Sequence, residues 1–193
     1  MLGHFGQDDP WQTLIATILS ARSRDETTEV VSRELFRIYP DCASLASAPV
    51  RKVEKLVKKT GFYKTKARRI INVSRLLMDR YDGIVPETME ELIALPGVGR
   101  KTASCVLVYA FGKPAIPVDT HVHRISNRLG WVKTKTPEQT EERLRVLIAE
   151  KDWLPINDLL VFHGKNVCKP IRPLCESCSI EKLCAKVIRR KIR

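Results

Sequence analysis

Four of the six cysteines fall within 17 residues, in the run Cys168-KPIRPL-Cys175-ES-Cys178-SIEKL-Cys184. Thiols at that density serve as disulfides or as metal ligands. A disulfide framework needs an oxidising compartment, and nothing in the sequence indicates one. Four thiolates suit either zinc or an iron–sulfur cluster. The x6-x2-x5 spacing is neither the paired C-x2-C of zinc ribbons nor a ferredoxin spacing, so it leaves the metal's identity open. Cys42 and Cys105 lie far away in apolar helical surroundings and read as buried, inert thiols.

A second reactive group stands in "LPGVGRKTA", residues 95–103. A neutral amine can attack an aldehyde-like carbon to form a Schiff base, but an ordinary lysine is almost fully protonated. A helix N-terminus and apolar neighbours disfavour the charge and favour the free amine. Lys101 has both, because it follows a Gly-x-Gly turn and precedes an uncharged run. A lysine contacting phosphate would fit these nine residues equally well. Further on, "PAIPVDTHVHR" puts Asp119 between a loop ended by Pro117 and the helix that follows. A carboxylate there is ordinarily an N-cap. Beside a desolvated lysine it could also stabilise a cationic sugar transition state and move protons. His121 and His123 are two apart on a helix and so point to different faces, which suits hydrogen bonding or packing better than a shared metal.

Gly97 and Gly99 permit positive φ and close approach of another molecule to the backbone. The first N–H groups of the next helix are unsatisfied and lie at the positive end of its dipole. A phosphate fits there without any base being read. The arrangement resembles the helix–hairpin–helix motif of DNA repair proteins. A faint repeat supports it: Leu56, Gly61, Ala67 and Ile70 recur at the same offsets as Leu92, Gly97, Ala103 and Val106. Tyr63 and Thr65 stand in the first copy where the second has Gly99 and Lys101.

The elements that must position these groups read as helices. Asp9 and Pro10 form a helix start, an N-cap followed by proline in the first turn. Trp11, Leu14, Ile15, Ile18 and Leu19 follow with helical period, and Val31, Leu35 and Ile38 repeat it in a second helix stopped by Pro40. Thr136-Pro-Glu-Gln139 has capping-box spacing and opens a helix to about Glu150. Alternating strand-like runs are missing. The expected fold class is therefore all-α, with short loops.

Composition agrees with that picture and points to a partner. The chain has 193 residues, of which 44% are hydrophobic and 29% charged, enough for a real core. Its 34 Lys and Arg against 22 Asp and Glu give +12, an excess that suits a polyanion. The opening MLGHFGQDDP has no basic stretch followed by an apolar run, so no secretory signal is expected. No uncharged stretch approaches the roughly 20 residues of a membrane span. An intracellular, cytoplasmic or nucleoid-associated monomer without membrane contact is expected.

Over nearly its whole length the chain resembles the endonuclease III family of helix–hairpin–helix DNA glycosylases. Four blocks carry the resemblance: "ILSARSRDE", "GFYKTKA", "LPGVGRKTA" with "VDTH", and the C-x6-C-x2-C-x5-C loop. It implies a 4Fe-4S cluster on Cys168, Cys175, Cys178 and Cys184. It puts the nucleophilic lysine on Lys101 and the catalytic aspartate on Asp119. DNA contacts would come from Gly97, Val98 and Gly99 of the hairpin, from Arg22 and Phe62 where the family inserts side chains into the duplex, and from Lys169 and Arg172 between the first two cysteines. Ser20 and His121 would line the pocket for the flipped base. Adenine glycosylases share the fold and the cysteine spacing but generally lack the hairpin lysine, so Lys101 argues against that subgroup.

The resemblance also implies a six-helix domain over residues 3–113 that contains the hairpin. Residues 114–193, with the extreme N-terminus, would form a helical cluster domain, leaving a DNA cleft between the two. Two departures stand out. Asp9 and Pro10 already match the opening of the six-helix domain, so the family's additional N-terminal helix is not expected. Bacterial relatives carry glutamine where Arg22 stands. The implied activity is a bifunctional DNA glycosylase and AP lyase that removes oxidised pyrimidines from duplex DNA containing damaged bases or abasic sites. Lys101 attacks C1′, the base leaves, Asp119 supports the charge, and β-elimination nicks the strand. A monofunctional mismatch or uracil/thymine glycosylase shares the fold. A non-catalytic iron–sulfur DNA-binding module would keep the charge and hairpin without needing Lys101 and Asp119, and an iron–sulfur redox protein would explain neither hairpin nor charge. The terminal "VIRRKIR" either extends the basic surface or is a solvated charge run.

Overall fold

The computed structural model describes residues 9–187, all of them in helices, turns and loops with no strand among them. The chain divides into two compact units, one ending at Lys113 and the other beginning at Pro114. The expected tail "VIRRKIR" beyond Val187, and the extreme N-terminus assigned to the cluster domain, lie outside the described residues.

The first unit is built around α1 (Pro10–Ser20), in which Asp9 caps the amides of Trp11 and Gln12 and proline takes the first turn. Its apolar residues Leu14, Ile15 and Leu19 are fully buried. Around it run α2 (Asp25–Ile38), α3 (Cys42–Ala46), α4 (Val50–Leu56), α5 (Tyr63–Tyr81), α6 (Met89–Ala94) and α7 (Arg100–Phe111). Helix α1 packs on α2, α5 and α7, and α3 lies on α5. Seven helical segments are described where the resemblance implied six; α3, at five residues, is too short to show a hydrophobic period. Ile38 departs from expectation. It closes α2 but stands 41% exposed, because the helix ends there and its last turn leaves the core.

Both copies of the sequence repeat fold as helix, tight turn, helix: α4 into α5, and α6 into α7. The turns differ by one residue. In the second copy Gly97 takes the left-handed conformation (φ 79°), whereas in the first it is Phe62 (φ 57°), the residue after Gly61. Gly61 is needed for closeness instead, since a Cβ there would meet the Arg22 carbonyl oxygen at 2.8 Å.

The second unit has its own core, in which Ile116, Val118, Val122, Ile125, Leu144 and Leu160 are buried together. It contains α8 (Thr120–Leu129), α9 (Pro137–Leu147) and α10 (Trp153–Asn166), with α8 packed on both of the others. Thr136 caps α9 as its spacing predicts, accepting from Gln139 N. The Gln139 side chain, however, accepts from Lys135 N (2.9 Å), one residue before the position a capping box would use. The helix stops at Leu147, three residues early, and a 3-10 turn follows at Glu150–Asp152.

Candidate nucleic-acid interface and cysteine cavity

Lys101 is the second residue of α7, half-buried at the helix N-terminus. Gly99 is the N-cap of α7 and supplies no side-chain acceptor to its first turn, which lies at the positive end of the helix dipole. Leu95 and Val98 are buried (2% and 5% exposed) and anchor the turn from beneath, with Val98 N bonded to Leu95 O at 3.1 Å. Gly97 is held in the left-handed region against the Arg69 side chain. A Cβ on Gly99 would meet nothing within 4 Å. The fold therefore leaves Gly99 facing open space.

Arg22 and Phe62 come together. Arg22 lies in the loop after α1 and Phe62 in the turn before α5, both with positive φ (53° and 57°). The guanidinium carbon sits 5.4 Å from the Phe62 ring centroid, a cation–π stack, and Phe62 is 64% exposed. Phe62 is thus no core residue. Beneath the pair is a residue that the sequence did not single out. Lys66, on the first turn of α5, is 4% exposed and donates to the Leu19 carbonyl (2.7 Å) and to Ser23 Oγ (2.8 Å). Burial lowers its pKa to about 8. Ser23 Oγ also accepts from Gly61 N at 3.1 Å. Ser20, assigned to the substrate pocket, turns its hydroxyl back to Thr17 O within α1 (2.8 Å).

In the second unit Asp119 is the N-cap of α8. Its Oδ1 accepts from His121 N (2.8 Å) and Val122 N (2.9 Å), so both capping bonds use one oxygen and Oδ2 remains for other work. The loop ahead of it is fixed by buried Ile116 and Val118 and by Asn157, which donates to Pro117 O at 2.7 Å. His121 Nδ1 lies 3.1 Å from Arg124 Nη2; an arginine only donates, so Nδ1 accepts. His123 turns elsewhere, its Nδ1 lying 2.7 Å from Thr140 Oγ1. Arg124 Nη2 also donates to Gly164 O and Cys168 O. Desolvation lowers the Arg124 pKa and Arg128 adds to the effect, while Cys168 and Asp119 oppose it. Gly164 is packed so tightly that a Cβ would overlap His121 Nδ1.

Cys168, Cys175, Cys178 and Cys184 line one cavity with Ile125, Leu129 and Ile180. None of the four is in a disulfide. Among the described residues no three His, Cys, Asp or Glu side chains converge as a ready single-ion site. The donor set nevertheless fits an iron–sulfur cluster: four half-buried thiols on apolar walls, with N–H groups aimed at sulfur. Arg128 Nη1 lies 3.3 Å from Cys168 Sγ, and Lys186 N lies 3.3 Å from Cys184 Sγ. Hydrogen bonds to the sulfurs are among the groups that tune such clusters. Arg128 also donates to the carbonyls of Lys169 (2.7 Å) and Pro170 (2.8 Å) and so holds the first cysteine loop. Lys169 and Arg172 stand exposed on that loop, Arg172 with φ 51°. Arg124 and Arg128 went unnoticed in the sequence; their signal was two cations four apart on the helix that Asp119 opens.

Residues 15–150 match the family profile described as HhH-GPD superfamily base excision DNA repair protein. The chain is 52% identical over 184 residues to endonuclease III of Thermotoga maritima, an alignment covering 95% of this chain and 86% of that protein. Its structure resembles that of a trapped endonuclease III–DNA covalent intermediate with a TM-score of 0.88 at 38% identity, covering 92% of this chain and 84% of the other. It also resembles a thermostable thymine-DNA glycosylase with a TM-score of 0.85 at 26% identity, covering 96% and 86%.

Proposed function

Since the chain belongs to the HhH-GPD superfamily of base excision DNA repair proteins, we propose that it is a bifunctional DNA glycosylase and AP lyase of the endonuclease III type, acting on oxidised pyrimidines in duplex DNA. The observation that carries this reading is the half-buried Lys101 at the N-terminus of α7, next to a glycine turn whose Gly99 faces open space. The amides and Gly99 grip a phosphate, which holds the backbone without reading sequence. Arg22 and Phe62 enter the stack as the damaged nucleotide leaves it, at a cost lowered by the poor pairing of lesions.

The Lys101 amine forms a bond to C1′ as the bond to the base breaks. Opening of the sugar at O4′ gives the Schiff base. Loss of a C2′ proton then expels the 3′ phosphate from C3′, and water releases the lysine. Asp119, its Oδ1 occupied by the α8 amides, offers Oδ2 to the positive charge that develops at the sugar. Cys168, Cys175, Cys178 and Cys184 would hold a 4Fe-4S cluster. When bound, it supplies four iron–thiolate links that close the loop. Lys169 and Arg172 on that loop then contribute charge to DNA binding.

The second reading is a monofunctional mismatch glycosylase, favoured by the likeness to the thymine-DNA glycosylase structure. A duplex panel separates them. Thymine glycol should be released with concomitant strand nicking, in preference to thymine opposite guanine. Release of mismatched thymine without nicking would favour the second reading.

A further inference from the structure

Lys66 is a buried ammonium whose two hydrogen-bond partners are both neutral oxygens, Leu19 O and Ser23 Oγ. Burying a charge against neutral groups is costly, and a neutral donor could staple the same atoms. Its placement explains what the charge does. Leu19 is in the last turn of α1, where carbonyls lack helical partners and the dipole is negative. Ser23 Oγ receives Gly61 N as well as Lys66 Nζ, so one hydroxyl joins the Arg22 loop to the Phe62 turn. Gly61 has no room for a Cβ against Arg22 O, which brings the two backbones into direct contact. The exposed Arg22–Phe62 stack stands on this fastening, each member held in the left-handed region.

We propose that Lys66 is a positioning residue that locks the Arg22 loop to the Phe62 turn, so that the stacked pair enters the duplex as one preorganised unit. Held together in advance, the pair avoids the cost of ordering two side chains and two turns on DNA. The benefit falls on lesion capture. Undamaged duplex, held by the hairpin, gains nothing from it. This inference rests on the proposed role of Arg22 and Phe62 as the residues inserted into DNA.

The test uses full-length Lys66→Met, Ser23→Ala, Arg22→Ala, Phe62→Ala and the Arg22→Ala/Lys66→Met double variant. Each is titrated against intact duplex and against duplex with an abasic-site analogue opposite 2-aminopurine, whose fluorescence rises on unstacking. We expect Lys66→Met and Ser23→Ala to bind the abasic duplex about tenfold more weakly, the scale of one lost bond to a charged group, with a reduced fluorescence rise and little change on intact duplex. We expect the double variant to bind no more weakly than Arg22→Ala, because the lysine acts through the arginine. Native affinity and fluorescence in folded Lys66→Met and Ser23→Ala would overturn the proposal, as would losses that multiply in the double variant. Should Lys66→Met fail to fold, Ser23→Ala decides, since it removes the shared hydroxyl without stranding a charge. If Arg22→Ala and Phe62→Ala both behave as native, the premise about the pair fails, and the proposal with it.

Discussion

In the proposed mechanism Asp119 serves structure and chemistry together, its two oxygens dividing the work. Oδ1 takes both amides of the α8 cap, which an asparagine oxygen could do as well. Asp119→Asn should therefore keep the fold while removing the negative charge. We expect base release to fall at least about 10²-fold with an unchanged melting temperature, read by single-turnover excision beside thermal denaturation. Lys66 gives a pH signature of its own. Its folded-state pKa is about 8 against 10.5 in the unfolded chain, so between those values the unfolded chain binds more protons. The cost of its buried charge is full below pH 8 and is relieved as pH rises towards 10.5. Urea denaturation at several pH values should show the native protein gaining stability relative to Lys66→Met across that window. The sequence singled out Lys101 by its place behind a glycine turn, whereas Asp119 read locally as an ordinary N-cap and took its proposed role from the family resemblance. Lys66 was not legible, since in "YKTKARR" it looks like the solvated lysines and arginines around it, and only the packing of α5 against the end of α1 buries it.

The hairpin's two glycines make separable predictions at the scale of the element. Gly97→Ala imposes a side chain on φ 79° against Arg69, at about 1–2 kcal/mol of stability. Gly99→Ala meets nothing in the protein and has φ −99°, so its folding cost is confined to the poorer cap, under about 1 kcal/mol. On the proposed reading its Cβ would occupy the open space through which a phosphate approaches. DNA affinity should therefore drop more in Gly99→Ala than its small loss of stability explains, as fluorescence anisotropy on an abasic duplex would show. Helix starts were read well because caps are local: Asp9 and Thr136 bond as their spacing says. Helix ends and partners were read less well. Ile38 keeps the helical period yet leaves the core, and Arg124 and Arg128 of α8 reach the cysteine loop some forty residues away, which no local pattern encodes.

For the molecule as a whole, the net charge of +12 predicts binding that weakens steeply with salt, log affinity falling by about 0.9 per phosphate contact for each log unit. Lys169→Ala and Arg172→Ala should each lower that slope by about 1 while leaving excision at saturating protein intact. Each unit has a core of its own, and the all-α class was legible from helical period and the lack of alternating runs. The four clustered thiols were legible in the sequence, but their spacing alone left zinc and an iron–sulfur cluster both open. Purified protein should carry about four irons and four acid-labile sulfides per chain. Colourless protein with chelatable zinc would contradict that assignment.

The central claim is that Lys101 is the nucleophile of a lyase. Borohydride reduction of a mixture with duplex bearing one abasic site tests it most directly, with native protein beside Lys101→Ala. A covalent protein–DNA adduct with native protein, absent with Lys101→Ala although that variant still binds the duplex, is the predicted result. An adduct of equal yield from Lys101→Ala, or none from native protein that binds DNA and carries its cluster, would contradict the account.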